Sequence, residues 1–248
     1  MNLVIDIGNT LTKTAVFNEA ELSSFSSFEK ISTDVLRELL LKNSSVKNVI
    51  LSSVTNHDKD ISGFLKSKYF FIELSAATKI PIENIYQSKQ TLGKDRLACA
   101  VGANFLFPNQ NVLAIDAGTC IKYDFVNAKS QYLGGGISPG IDMRFKALNQ
   151  FTDKLPLLNY KQFDKLIGEN TDESILSGVM NGTAEEVRGI IARYLQQYPD
   201  VKVVFTGGYL KFFERIFNIS GNENSSIFAD SFLVLKGLNQ ILKFNEKK

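Results

Sequence analysis

The sequence predicts an α/β protein of two parts, and three observations support this fold class. A short apolar segment runs into Asp-x-Gly followed by Asn or Thr twice, at residues 2–10 and again at residues 112–120. Each copy is followed at a distance by another strand-like apolar segment, at residues 48–54 and 201–208. The length of 248 residues and the 44% hydrophobic content suffice for two cores of ordinary size. We therefore expect two domains, over residues 1–110 and 111–248.

Each repeated segment predicts a β-hairpin. An apolar run that ends in Asp and Gly is typical of a strand entering a tight turn, where Gly lets the backbone approach a ligand. A second strand-like segment follows at once, at residues 11–17 and 121–126. The tips offer backbone N–H groups, hydroxyls and a carboxylate, which suit phosphate oxygens and a hydrated cation. Such turns also occur in ordinary hairpins, but the duplication favours two tips facing one nucleotide.

Periodicity and capping residues predict the other elements of the first half. Helices and strands alternate there, as an α/β fold requires: a helix over residues 35–41 after the capping candidates Ser32, Thr33 and Asp34, strands over 48–54 and 68–74, and a helix over 95–106.

The second half repeats this plan with an insertion. The predicted elements are a continuation of the hairpin through residues 132–140, a helix from residue 141, a helix over 174–198 and a strand over 201–208. The interval between hairpin and later strand is longer than in the first half, so we expect an insertion in a helical region around residues 144–163.

Composition excludes several functions. A net charge of +2 with no long basic block does not favour nucleic acid, and the absence of a long apolar run or a basic leader predicts a cytoplasmic chain that does not bind membranes. The two cysteines lack metal-ligand spacing. His57 is the sole histidine and falls in a polar loop, so acid–base chemistry is expected from carboxylates.

Taken together, the motifs resemble the acetate kinase, sugar kinase, Hsp70 and actin superfamily, and within it the type III pantothenate kinases. The resemblance spans almost the whole chain and rests on six motifs in the family's order: Asp6-Ile-Gly-Asn-Thr10, Gly93-Lys-Asp-Arg96, Asp116-Ala-Gly-Thr119, Gly134-Gly-Gly-Ile-Ser-Pro-Gly140, Asn170-Thr-Asp-Glu-Ser-Ile-Leu-Ser-Gly178 and Thr206-Gly-Gly208. It implies duplicated ribonuclease H-like (actin-like ATPase) domains with a central cleft, the second domain carrying a helical insertion.

The resemblance also implies an activity and a set of site residues. The activity is ATP-dependent phosphorylation of pantothenate to 4'-phosphopantothenate, the first step of coenzyme A biosynthesis, by a homodimer that needs Mg²⁺ or another divalent cation and K⁺ or NH₄⁺. The residues implied to contact ATP are Asp6, Ile7, Gly8, Asn9, Thr10, Leu11, Thr12, Lys13 and Thr119. Those implied to contact pantothenate are Tyr86, Gly93, Lys94, Asp95, Arg96 and, across the dimer interface, Thr171. Asp6 would hold Mg²⁺ partly through water, and Asp116 would bind the monovalent cation.

The chemistry of the residues fits this activity. Phosphoryl transfer to an alcohol needs charge neutralisation, in-line positioning and a carboxylate near the hydroxyl. Asp95 is the candidate general base, and Arg96 could hold a substrate carboxylate through a planar two-point contact. Simpler roles remain open, because the segment 94–96 fits a charged helix start and Thr171 fits a helix cap.

Two further interpretations of the residues remain. Tyr86 could be surface packing, while Lys13 and Lys122 are expected to point to solvent.

For the whole chain, the alternatives are a phosphoanhydride hydrolase of the same superfamily and a non-catalytic regulatory protein of this fold. Retention of Gly93 to Arg96 argues against the hydrolase, and retention of Asp95 and the first Asp-x-Gly turn argues against the regulatory protein.

Overall fold

A computed structural model describes residues 1–55, 58–219 and 226–246 of the chain. His57 lies outside the described residues. The chain packs into two compact units: the first comprises Met1–Asn109, Asp124–Gly134 and Phe232–Lys248, and the second comprises Gln110–Tyr123 and Gly135–Ser231. These units are defined by packing alone, and the domain division at residue 110 stays a prediction.

The first sheet contains the predicted N-terminal hairpin. Its five strands are β1 (Asn2–Ile7), β2 (Thr12–Asn18), β3 (Glu21–Phe28), β4 (Asn48–Ser53) and β5 (Phe70–Glu73), in the order β3-β2-β1-β4-β5. Strand β1 pairs antiparallel with β2 and parallel with β4, and β4 pairs parallel with β5. Strand β3 was not predicted, because its serine-rich sequence is mostly polar and lies at the sheet edge.

Helices cover this sheet with apolar side chains. Helix α1 (Thr33–Lys42) starts where Ser32 accepts a hydrogen bond from the backbone N–H of Val35, so Ser32 is the cap among the three candidates. Helix α2 (Lys59–Lys68) precedes β5. Leu36 of α1 and Leu65 of α2 are fully buried in one cluster with the strand residues, which explains why these amphipathic segments fold onto the sheet.

Two further helices of the first unit pack closely against each other. They are α3 (Lys94–Leu106), which follows a short 3₁₀ turn at Lys89–Thr91, and α7 (Leu233–Glu246). A Cβ on Gly237 would overlap the carbonyl oxygen of Ala98, and one on Gly102 would overlap that of Leu233. Glycine is therefore required at both positions of this helix contact.

The second sheet contains the repeated hairpin. Its described strands are β6 (Glu83–Asn84), β7 (Val112–Ala117), β8 (Cys120–Val126), β9 (Gln131–Pro139), β10 (Lys202–Thr206) and β11 (Ile227–Ala229), in the order β11-β10-β7-β8-β9-β6. Strand β10 lies parallel to both β7 and β11. The predicted strands of the second half are thus present.

The helices of the second half correct the predicted insertion. They are α4 (Ile141–Gln150), α5 (Thr171–Gln197) and α6 (Leu210–Ile216). Residues 151–170 contain no helix or strand, so the prediction of a helical region to residue 163 is wrong beyond residue 150. Pro156 disfavours an extension of α4 past this point, because proline disfavours the helical conformation of the residue before it and cannot donate a helical hydrogen bond.

Across the described ranges, no helix is long and apolar enough to span a membrane.

The contact between α3 and α7 gives a stability prediction. Gly237→Ala should lower the free energy of unfolding by about 1–3 kcal/mol, because its Cβ meets backbone that cannot move aside. Urea unfolding followed by circular dichroism measures this change.

The matched control is Gly63→Ala in α2, where a Cβ meets nothing within 4 Å. It should raise the free energy of unfolding by up to about 1 kcal/mol, since alanine restricts the unfolded chain. Equal effects of the two substitutions would contradict the required close approach.

Candidate active site

The first Asp-x-Gly segment forms the tip of the hairpin between β1 and β2. The pairing ends with Ile7 opposite Thr12, and the N–H of Gly8 donates to the carbonyl oxygen of Leu11 at 3.0 Å. Ile7 and Thr12 are buried, so their side chains belong to the core. Residues 9–11 are exposed at the tip. Of the eight residues predicted to contact ATP here, those three present their side chains to solvent.

Asp6 lies one residue before this tip, beside two other polar residues. In the register of the sheet it stands opposite Lys13 of β2 and Ser52 of β4, and directly opposed residues share one face. The Ser52 hydroxyl is completely buried and has no hydrogen-bond partner among the described residues. This end of the sheet therefore combines a carboxylate, an ammonium group and a hydroxyl.

The second Asp-x-Gly segment also forms a hairpin tip, and its turn is shorter than that of the first. Residues 118 and 119 join β7 to β8, and the N–H of Gly118 donates to the carbonyl oxygen of Cys120 at 3.0 Å. Gly140 packs on this tip: its N–H donates to the carbonyl oxygen of Thr119 at 3.1 Å, and a Cβ there would overlap the Gly118 and Thr119 carbonyl oxygens. The Thr119 side chain is exposed, as a contact with ATP requires.

The Thr206-Gly-Gly208 segment meets the same tip. Thr206 of β10 stands opposite Asp116 of β7. Gly207 has φ of +100°, and a Cβ there would overlap the carbonyl oxygen of Ala117 and lie 2.6 Å from Oδ1 of Asp116. The N–H of Tyr209 donates to the Ala117 carbonyl oxygen at 2.9 Å. The structure thus brings together two motifs that are far apart in the sequence.

Asp116 forms an ion pair that sequence reasoning missed. Its Oδ2 lies 2.6 Å from Nζ of Lys122, and only 13% and 16% of the two side chains are exposed. The expectation that Lys122 points to solvent is therefore wrong. Asp116 is the next-to-last residue of β7 and Lys122 lies in β8, so these neighbouring strands bring the two side chains together.

The start of α3 holds the candidate base. Asp95 is in the first turn, and its Oδ1 accepts a hydrogen bond from the backbone N–H of Arg96 at 2.9 Å. A Cβ on Gly93 would lie 2.6 Å from that same oxygen. Glycine at position 93 leaves the space that the Asp95 carboxylate occupies.

Arg96 is buried rather than exposed at this helix start. Its Nε donates to Oδ1 of Asp124 at 2.9 Å, and its Nη2 lies 2.7 Å from the same oxygen. The hydroxyl of Tyr132 donates to that oxygen as well, at 2.8 Å. The simple interpretation of segment 94–96 as a solvated charged turn therefore fails for Arg96. Sequence reasoning missed Asp124, although an acidic residue between Tyr123 and Phe125 in a strand was an available signal.

Electrostatics keeps this cluster in one protonation state. Burial alone would lower the pKa of Arg96, but Asp124 and Tyr132 outweigh it, and the net pKa is raised. Burial and the Asp124 carboxylate raise the pKa of Tyr132. The guanidinium therefore stays charged and the phenol stays protonated as a donor throughout the neutral range.

Tyr86 completes the cluster around Arg96. The guanidinium carbon of Arg96 lies 5.8 Å from the Tyr86 ring centroid, and the Tyr86 and Tyr132 centroids are 6.0 Å apart. Gly134, with φ of +108°, makes room for this ring, because a Cβ there would lie 2.8 Å from Cδ2 of Tyr86. The structure thus brings together Tyr86 and Arg96, two of the predicted pantothenate-binding residues.

Lys94 and Thr171 occupy different surroundings. Lys94 lines a cavity of about 510 Å³ in the first unit, together with Thr78, Lys79 and Lys89. Thr171 is the exposed first residue of α5. The alternative that Thr171 caps this helix is wrong, because Oδ1 of Asn170 accepts the hydrogen bond from the N–H of Glu173 at 3.0 Å.

Comparison with known proteins decides the family. A family model described as type III pantothenate kinase matches residues 2–193. A type III pantothenate kinase from Phocaeicola vulgatus is 45% identical over 248 residues, covering 100% of both chains. The chain belongs to the type III pantothenate kinase family.

Solved structures agree with the fold that the family resemblance implies. The activator of the 2-hydroxyisocaproyl-CoA dehydratase from Clostridium difficile superposes with a TM-score of 0.55 at 17% identity, covering 99% of this chain and 94% of that one. A glucokinase from an Antarctic psychrotroph superposes with a TM-score of 0.51 at 15% identity, covering 98% of both chains. These likenesses confirm the actin-like ATPase and sugar kinase fold.

For a type III pantothenate kinase, the choice of metal-binding residues is narrow. No group of three or more His, Cys, Asp or Glu residues in the described parts of the chain forms a ready metal site. Mg²⁺ is commonly bound through one or two carboxylates together with substrate phosphates and water. Asp6, with the hydroxyl of Ser52 in register with it, fits that mode of binding.

The buried ion pair gives a second stability prediction. Asp124→Leu should lower the free energy of unfolding by about 3–5 kcal/mol, because it leaves the Arg96 charge buried without its partner. Tyr132→Phe removes one hydrogen bond to the same oxygen and should cost only about 1 kcal/mol.

Urea unfolding of both variants and of the double variant Arg96→Met/Asp124→Leu measures these differences. The double variant should be more stable than Asp124→Leu alone, since no uncompensated charge remains. A loss in Asp124→Leu no greater than that in Tyr132→Phe would refute the ion pair as a main support of this cluster.

Proposed function

We propose that this protein phosphorylates pantothenate with ATP in the cytoplasm, as the first step of coenzyme A biosynthesis. Membership of the type III pantothenate kinase family supports the reaction. The observation that carries the proposal is the start of α3, where Gly93 leaves room for the Asp95 carboxylate and Arg96 lies beside Tyr86. A hydrolase would have no use for an acceptor site of this kind.

The two hairpin tips are the proposed ATP-binding elements. The exposed side chains of Asn9, Thr10 and Thr119 supply hydroxyl and amide groups for phosphate oxygens. Asp6 would hold Mg²⁺, partly through water, and the bound ion would neutralise negative charge on the phosphates. The side chains of Ile7 and Thr12 are buried, so any contribution from these two residues comes from their backbone.

Asp95 is the proposed general base. The pantothenate hydroxyl oxygen forms a bond to the γ-phosphorus of ATP, the bond from that phosphorus to the bridging oxygen breaks, and ADP leaves with the electron pair. The hydroxyl proton moves to the Asp95 carboxylate. The hydrogen bond from the Arg96 N–H, at 2.9 Å, holds Oδ1 of Asp95 at the start of α3.

Arg96 has a modified role in this proposal. Two of its nitrogens contact Asp124 at 2.9 and 2.7 Å, so a two-point contact with the substrate carboxylate would have to compete with Asp124. We assign Arg96 to positioning the Tyr86 ring and to supplying positive charge near the substrate carboxylate. Tyr86, Gly93 and Lys94 remain the other proposed contacts in this unit.

The proposed monovalent cation does not fit the residues at Asp116. The family resemblance implies K⁺ or NH₄⁺ there, but Oδ2 of Asp116 already lies 2.6 Å from the Lys122 ammonium in a largely buried pair. Two unit charges about 4 Å apart interact by about 4 kcal/mol at the effective dielectric constant of a protein surface. A second cation on this carboxylate would experience that repulsion, so no step of the proposed reaction uses K⁺.

A homodimer is proposed from the segment before α5. Leu166 and Ile167 are 79% and 77% exposed, and Phe151 is 81% exposed. The segment is held to α5, because the Asn181 side chain donates to the Lys165 carbonyl oxygen at 3.1 Å. Exposed apolar side chains in a fixed segment favour a protein partner. In a homodimer, they would bring Thr171 of one subunit to the pantothenate site of the other.

The general base is tested by Asp95→Asn. The variant should lower kcat for pantothenate phosphorylation by about 10²–10⁴-fold, because the amide cannot accept the hydroxyl proton. Coupled ADP-release assays with Mg²⁺ measure the rate, and calorimetry should give an ATP affinity close to that of the parent protein.

The matched control is Asp34→Asn, which changes another first-turn aspartate, on α1. Its kcat should equal that of the parent protein. ATP hydrolysis by the parent that does not depend on pantothenate, with no phosphopantothenate formed, would instead identify a hydrolase.

The dimer is tested by the double variant Leu166→Glu/Ile167→Glu. It should sediment as a monomer and lose pantothenate phosphorylation, since charge on both subunits prevents apolar contact and removes the partner's Thr171 from the site. Sedimentation velocity measures the association state.

Leu41→Glu is the control, because Leu41 of α1 is equally exposed, at 79%, and this variant should stay dimeric. A monomeric parent protein with full activity would disprove the proposal.

A further inference from the structure

We propose that the ammonium group of Lys122 takes the place of a monovalent cation at Asp116, so that the kinase works without K⁺ or NH₄⁺. The inference rests on the proposed phosphorylation of pantothenate, since activity is one of its two readouts.

Asp116 is largely buried, with 13% of its side chain exposed. Oδ2 contacts Nζ of Lys122 at 2.6 Å. Oδ1 faces the backbone of Gly207, where even an added Cβ would lie only 2.6 Å away. The carboxylate therefore has its charge neutralised on one side and backbone close by on the other.

The Lys122 side chain is largely buried, unlike a lysine on the surface of a protein. Only 16% of it is exposed, whereas an exposed lysine keeps its ammonium in water and gains little from an ion pair. Lys122 is held between two core residues of β8, Ile121 and Tyr123, which are 1% and 4% exposed. The strand therefore fixes the residue, and the four-carbon chain delivers the ammonium to Asp116.

An ammonium group on the chain resembles the ions it replaces. NH₄⁺ and the lysine head group share a compact charge with N–H donors. Because Lys122 is tethered beside Asp116, its effective concentration there is high and does not depend on the salt in solution. The charge that a diffusible ion would supply near the second hairpin tip is therefore always present.

The experiment compares the parent protein with Lys122→Met and Lys122→Gln. Phosphopantothenate formation is measured with Mg²⁺ in K⁺, NH₄⁺ and Na⁺ salts at equal ionic strength. The parent should have the same rate in all three. Both variants should lose about tenfold or more of the activity in Na⁺ and recover it in K⁺ or NH₄⁺. The control Lys146→Met, at an exposed position on α4, should behave as the parent does.

Thermal unfolding provides a readout that does not depend on catalysis. The midpoint of the parent should be the same in K⁺ and Na⁺, whereas K⁺ should raise the midpoint of Lys122→Met, because an ion that binds only the folded protein stabilises it. These midpoints test Lys122 even if no variant phosphorylates pantothenate, so failure of the two proposals can be told apart. The inference would be overturned if K⁺ activated or stabilised the parent protein. It would also be overturned if K⁺ changed neither the rate nor the unfolding midpoint of the Lys122 variants.

Discussion

The arrangement around the start of α3 depends on the buried ion pair between Arg96 and Asp124. This pair joins the first turn of the helix to β8, and Tyr132 donates to the same carboxylate oxygen. A buried charge without its partner is strongly unfavourable, so the pair holds the helix start in one position. Asp95 precedes Arg96 in the same helical turn, so the pair also fixes where the Asp95 carboxylate lies. The buried ion pair thus involves the residue next to the proposed base and not the base itself.

The two hairpins share the Asp-x-Gly sequence but differ in turn length and in the surroundings of the acidic residue. In both tips the N–H of the glycine, Gly8 or Gly118, donates to a carbonyl oxygen across the turn at 3.0 Å. The acidic residues before them have different surroundings. Asp6 is in register with the buried hydroxyl of Ser52, whereas Asp116 is bound by Lys122. The two Asp-x-Gly segments therefore suit different cations: the proposed Mg²⁺ at Asp6 and the Lys122 ammonium at Asp116.

Most of the fold could be predicted because it follows local patterns. Apolar runs that end in Asp-x-Gly located both hairpins, and the capping role of Ser32 was visible beside α1. Strand β3 was missed since its edge position permits a polar sequence. The contacts of the candidate residues were harder to predict, because the ion pairs of Asp124 in the first unit and of Asp116 in the second each join residues on different elements. Such contacts depend on how strands and helices pack, and the periodicity and capping residues of a single segment do not predict that packing.

Helix α7 has a consequence for synthesis of the protein on the ribosome. Asn239 of this helix is buried and accepts a hydrogen bond from the side chain of Asn2, 237 residues earlier in the chain. Its own side-chain amide donates to the carbonyl oxygen of Glu19 at 2.8 Å. Strands β1 and β2 leave the ribosome first, but their packing is complete only after α7 has been synthesised. The second unit is synthesised entirely within that interval, so it can fold while the first unit still lacks its final layer.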